Sequence, residues 1–141
     1  MKVLFLDIDG VLNRYDMFEG KGSREIISDE MVTRINRVVK ETGCSVVISS
    51  SWRLIMPLSE LSLLLGEHGF LSETIIDHTP HIDRRDNEIL VWLRDHKDVT
   101  KFAVVDDEAS DLTDVKDQLV QTSFDTGILD EHADQLIKML T

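Results

Sequence analysis

Apolar residues along this chain follow two rhythms. Short unbroken runs at 2–7 (KVLFLD), 44–49 (CSVVIS), 74–77 (TIID), 102–106 (FAVVD) and 119–123 (LVQTS) predict strands, of the continuous kind expected where both faces are buried. Segments of helical spacing lie between them. Ser28 can cap a helix that carries Met31, Ile35, Val38 and Val39 on one side and stops at Gly43. LSELSLLLGEHG predicts a second helix, with Leu61, Leu64 and Leu65 aligned and Gly69 at its end. NEILVWLRDH predicts a third with Ile89, Leu90 and Leu93 inward, and DEHADQLIKML a fourth capped by Asp130. Trp52 and Trp92 read as core. Strands alternating with helices predict an α/β fold, a three-layer Rossmann-like arrangement around a central, mostly parallel sheet.

Length and composition fit that picture. A chain of 141 residues that is 42% hydrophobic and 30% charged reads as one globular domain, 1–141. The irregular stretches near 13–27 and 78–86 are too short for a separate lid domain. The first, with Gly20 and Gly22 among charges, reads as a flap over the strand ends. No apolar run approaches the roughly 18 residues of a membrane span, and the N-terminus reads as a strand rather than a leader, so a cytoplasmic protein without membrane contact is expected. The single cysteine, Cys44, opens an apolar run and reads as a small core residue. A net charge of −12 excludes the basic stripe of a duplex binder and confines nucleic-acid contact to something local, such as a strand end.

The chemistry gathers where the strands end. In an open α/β sheet, ligands bind outside the carboxyl ends of the strands. Asp7 and Asp9 follow the first strand, Ser49, Ser50, Ser51 and Arg53 the second, and Asp106 and Asp107 the fourth, with Asp111 just beyond; Arg84 and Arg85 precede the third helix. Carboxylates converging on one rim repel and raise one another's pKa values unless a hard cation sits among them. An all-oxygen set suits Mg2+. Arg85 and Ser50 can then hold phosphate oxygens, with Ser49, Arg53 and Arg84 as further substrate contacts. A strand-end carboxylate at Asp7 can attack phosphorus, Asp9 can carry the proton, and Gly10 allows the tight turn that brings backbone N–H groups to the phosphate.

DIDGVLN resembles the first motif of the haloacid dehalogenase (HAD) superfamily, VVISSSWR its second, Arg85 before a helix its third, and FAVVDDEASD its fourth. With the run Arg85, Glu88, Ile89, Trp92, Leu93 and the late TGILDEHADQLIKML, the chain is similar to a small, cap-less HAD domain found beside RNA-repair enzymes. The resemblance implies a Mg2+-dependent phosphomonoesterase working through an aspartyl-phosphate. It implies Asp7 as nucleophile, Asp9 as acid/base, and metal ligands from Asp7, the Asp9 carbonyl and Asp106 or Asp107. Ser50, with Ser49 as alternative, becomes the phosphate-binding hydroxyl, and Arg85 stands where much of the superfamily has lysine. Val11 replaces a common threonine. Without an inserted cap the expected partner is a phosphorylated substrate such as a nucleic-acid end or a nucleotide; the oligomeric state is left open.

Blander readings compete at each position. Acids at a strand end can cap helices, the serines of SSSWR can cap the turn that follows while Arg53 snorkels, and Arg84 can be a solvated loop charge. The five histidines have no metal-ligand spacing and read as surface or loop residues, with a substrate contact conceivable only for His78 and His81. A receiver-like phosphoacceptor and a catalytically silent HAD scaffold are the alternative functions.

Overall fold

A computed structural model describes residues 1–20 and 26–141. The part of the flap expectation that falls on 21–25, Gly22 included, lies outside the described residues. Five parallel strands, β1 (Lys2–Leu6), β2 (Ser45–Ile48), β3 (Ile75–His78), β4 (Lys101–Asp106) and β5 (Leu119–Gln121), form one sheet in the order β3-β2-β1-β4-β5. Four helices accompany them: α1 (Asp29–Thr42), α2 (Leu58–Glu67), α3 (Arg85–Arg94) and α4 (Asp130–Leu140). The α/β architecture read from the sequence is the one observed.

The three central strands, β1, β2 and β4, feed two cores. Leu4 and Leu6 of β1, with Val46, Ile48, Ala103 and Val105, pack against Ile35 of α1, Leu61 and Leu65 of α2 and Leu136 of α4. Val3, Phe5, Val47 and Val104 point the opposite way, onto Ile89 and Trp92 of α3 and Leu112 and Val115 beyond β4. The period of two along a strand sends neighbours to opposite faces, so a strand buried on both sides must be apolar throughout. Phe5 meets Trp92 edge-to-face with centroids 5.6 Å apart, an arrangement worth about 0.5–1.5 kcal/mol beyond the area buried.

Helix limits follow local chemistry. Ser28 Oγ accepts from the Met31 N–H at 3.3 Å, and Gly43, at φ +71°, closes α1 by donating to the Val39 carbonyl. Two helix expectations need correction. In α3 Leu90 is 39% exposed, and Trp92 takes the inward position beside Ile89. The cap of α4 is Leu129 rather than Asp130, which is already the first helical residue; His132 Nδ1 accepts the Leu129 N–H at 2.9 Å instead. Among the described residues no helix is long and apolar enough to cross a membrane.

The strand order matters most for the site. From β1 the chain moves outward through β2 to β3, then crosses back to lay β4 on the other side of β1. Leu6 pairs with Val105, so the carboxyl ends of β1 and β4 stand side by side at the point where the order reverses.

Candidate active site

Asp7 follows β1 directly, and its N–H donates to the Val105 carbonyl at 3.1 Å, which keeps it in step with the end of β4. Asp106 closes β4 and is fully buried, and Asp107 follows it half-buried. One carboxylate oxygen from each of Asp7, Asp106 and Asp107 lies within 4.8 Å of the others. Arg85, at the first turn of α3, places Nη1 2.6 Å from Asp106 Oδ2 and 3.5 Å from Asp7 Oδ1. The other Asp106 oxygen accepts the Glu108 N–H at 2.9 Å.

Three acids thus face one guanidinium. Burial, and next the neighbouring Asp106 charge, push the Asp7 carboxyl well above the ordinary range against the pull of Arg85. Asp107 is raised by burial and then by Asp106. Burial works against the Arg85 charge, but Asp7 and Asp106 outweigh it and hold the guanidinium above its usual value. A hard divalent cation fits this donor set, because all the ligand atoms are oxygen and the negative charge exceeds what Arg85 balances. Asp7, Asp106 and Asp107 are the residues able to hold it. The Asp9 carboxylate stands outside that group.

The loop after β1 is pinned by polar side chains. Gly10 has φ +79°, and a Cβ there would collide with the Asp107 carboxylate, so only glycine lets the loop approach so closely. Its N–H donates to Asn13 Oδ1 at 2.8 Å, and its carbonyl accepts from Thr122 Oγ1 at 2.6 Å. Gly10's own N–H is therefore turned to Asn13 rather than toward the acids. Asn13, fully buried, also donates from Nδ2 to Asp9 Oδ1 and to the Ile26 carbonyl. Trp52 packs in the core and its Nε1 donates to the same Asp9 oxygen at 3.0 Å.

The second strand end is organised differently. The Arg53 side chain is 4% exposed. It donates to the carbonyls of Ser50, Thr79 and Pro80 and to Glu88 Oε1, at 2.9 to 3.2 Å. Glu88 Oε2 takes the Ile82 N–H at 2.8 Å. Arg53 is a brace between β2, the 79–82 loop and α3, which replaces the expected snorkelling and leaves its guanidinium directed inward. Arg84 likewise turns from the acids, pairing with Asp86 at 3.3 Å and reaching the Ser110 carbonyl and Thr113 Oγ1. Ser50 Oγ accepts the Trp52 N–H at 3.2 Å, while Ser49 Oγ is buried and has no hydrogen-bond partner among the described residues. A cavity of about 150 Å³, bordered by Ser51, Arg53, His81 and Arg85, opens beside this brace.

Of the residues singled out in the sequence, the fold therefore brings Asp7, Asp106, Asp107 and Arg85 together, with Asp9 and Gly10 on the adjoining loop. Asp111 lines the same cavity. Thr122 and Asp86 were missed, and Asn13 and Glu88 were read only as members of the quoted motifs, without a role. Glu88 and Asp86 sit among helix-forming residues and look like solvated acids until Arg53 and Arg84 are seen to meet them. Asn13 was legible as the end of the motif DIDGVLN and the start of a loop, with nothing to say what it bonds.

A family model described as the HAD domain in Swiss Army Knife RNA repair proteins matches residues 3–133, a span that takes in every residue of this site. No curated protein matches the chain. The chain belongs to that HAD domain family, in agreement with the resemblance carried by its four strand-end motifs.

Proposed function

From membership in that family, we propose that the chain is a Mg2+-dependent phosphomonoesterase acting on the end phosphate of a polynucleotide or on a nucleotide. The observation that carries this reading is the convergence of Asp7, Asp106 and Asp107 within 4.8 Å, opposite Arg85. Mg2+ bound by these carboxylates supplies charge neutralisation for the phosphate and keeps Asp7 ionised.

The chain's own groups do the rest. Asp7 attacks phosphorus in line, forming an aspartyl-phosphate as the bond to the leaving alcohol breaks. Asp9 gives that alcohol its proton. Both of its hydrogen bonds fall on Oδ1, and Oδ2 is the oxygen proposed to carry the proton. Asp9 then takes a proton from water, which attacks phosphorus and frees Asp7 and inorganic phosphate. Arg85 orients the phosphate from the opposite side as a fixed fork. Ser50, whose lone pair already accepts from Trp52, has its own proton free to donate to a phosphate oxygen. Arg53 and Arg84 act through position, the first by holding the β2 end and the second by fixing the start of α3.

Phosphate release from 3′- and 5′-phosphorylated oligonucleotides and from an aryl phosphate, with and without Mg2+, tests the reading. Turnover is expected to require Mg2+ and to fall by about 10⁴-fold or more in Asp7→Asn, as loss of a nucleophile does. Substantial activity in Asp7→Asn removes Asp7 from its role. A single stable phosphoryl group per chain without release would make the domain a phosphoacceptor instead.

A further inference from the structure

Tyr15 and Phe124 are the two exposed aromatic side chains among the described residues, at 58% and 40% exposure. They sit together. The Tyr15 N–H donates to the Phe124 carbonyl at 3.0 Å, and the Phe124 ring packs on Phe18 with centroids 5.5 Å apart at a tilt of 59°. The segments that carry them also build the catalytic loop. Asn13, two residues before Tyr15, ties down Gly10 and Asp9. Thr122, two residues before Phe124, bonds the Gly10 carbonyl through its hydroxyl and the Asp106 carbonyl through its N–H.

Tyr15 and Phe124, with Phe18 against Phe124, make a small aromatic patch on segments bonded to the loop beside Asp7 and Asp106. Asn13 and Thr122 each touch the loop that carries Asp9 and Gly10, so each ring stands two residues along the chain from a contact with that loop. The net charge of −12 opposes a long run of phosphodiesters, so whatever lies on the rings should bring a flat apolar face with little additional charge. An unpaired nucleobase has that chemistry, because stacking tolerates any base and needs no basic groove.

We propose that Tyr15 and Phe124, backed by Phe18, form a stacking platform for the unpaired base of the nucleotide that carries the phosphate. This rests on the phosphatase reading and narrows it to single-stranded ends and nucleotides. Specificity then comes from the terminal nucleotide, and lengthening the strand adds little.

The test uses a short single-stranded oligonucleotide with 2-aminopurine in its phosphate-bearing terminal nucleotide, bound to Asp7→Asn and hydrolysed by the catalytically intact chain. Binding is expected to quench the fluorophore, and Phe124→Ala or Tyr15→Ala to abolish the quenching. Each variant should raise KM for the oligonucleotide about tenfold while leaving kcat and the hydrolysis of glycerol phosphate unchanged. Tyr15 is exposed enough that its truncation preserves the fold even where that of Phe124 does not. Hydrolysis of the oligonucleotide with neither quenching nor a KM effect overturns the platform and leaves the phosphatase standing. A chain that hydrolyses no phosphomonoester yet quenches through Tyr15 and Phe124 keeps the platform and loses the phosphatase. Dimerisation that depends on Phe124, with no quenching, assigns the rings to self-association and overturns the proposal.

Discussion

The two halves of the carboxyl rim bury charge in opposite states of compensation. Beside β2 and β3, Arg53 spends its guanidinium on backbone carbonyls and Glu88, and Glu88 is completed by the Ile82 N–H. Beside β1 and β4, three carboxylates share one guanidinium, and burial with mutual repulsion raises Asp7 and Asp107. A buried ion pair becomes tolerable when its own donors and acceptors find partners, as those of Arg53 and Glu88 do. The second half stays out of balance in the protein alone. Burial of charge therefore does not distinguish the site; the missing counter-charge does.

That contrast can be broken most severely at Arg53. Arg53→Ala strands Glu88 as an uncompensated buried acid and is expected to cost about 3–5 kcal/mol of stability in urea unfolding. Asp7→Asn, by comparison, removes repulsion and should leave stability equal or higher, so similar losses in both variants would erase the distinction. Gly10→Ala forces φ +79° on an alanine and drives its methyl into Asp107, with an expected cost of about 1–3 kcal/mol. Part of that loss should return when Asp107→Ala is combined with it, which thermal denaturation of the single and double variants measures.

Smaller effects sharpen the comparison at the serines. Ser50→Ala removes a turn cap and should lose about 1 kcal/mol, whereas Ser49→Ala removes a hydroxyl without a partner among the described residues and should be near neutral. Parallel unfolding curves of the two variants distinguish them. His132, on α4 and away from both halves, gives a control with a pH signature. Burial lowers its pKa, so the fold favours the neutral ring whose Nδ1 accepts the Leu129 N–H. Its contribution is complete above the ordinary histidine range, near pH 6.5, and declines as the pH falls below it. Because the ring is partly exposed, a few tenths of a kcal/mol are expected, read as the gap between the parent chain and His132→Ala in denaturation at a series of pH values.

The sheet was legible because strands buried on both faces must be written in unbroken apolar runs, and α1 because Ser28 and Gly43 mark its ends. Leu90 was misread because α3 is only weakly amphipathic. Its inward face mixes Ile89 and Trp92 with the buried acids Asp86 and Glu88, so counting apolar residues pointed the wrong way. The same mixture hid the Arg53 brace, since Glu88 reads as a surface acid until the 79–82 loop folds over it. Asp7, Asp106 and Arg85 were legible because acids directly after apolar strands have few structural uses. Asn13 and Thr122 were not, because their work is to bond a glycine's backbone and backbone partners leave no mark in side-chain pattern.

The strand order also governs when the protein can assemble. Asp7 follows β1 and Asp106 closes β4, about a hundred residues later in the chain, with the register Leu6 to Val105 joining them. While the chain is being synthesised, β1 can pair with β2, and β2 with β3, but the other edge of β1 stays open until residues 101–106 emerge. That open edge is an apolar strand with unpaired backbone groups, the kind most prone to recruit a neighbouring chain. The central position that makes β1 the anchor of the sheet thus leaves the nascent domain exposed to mispairing until β4 emerges, and the step that relieves the exposure is the one that brings Asp106 to Asp7.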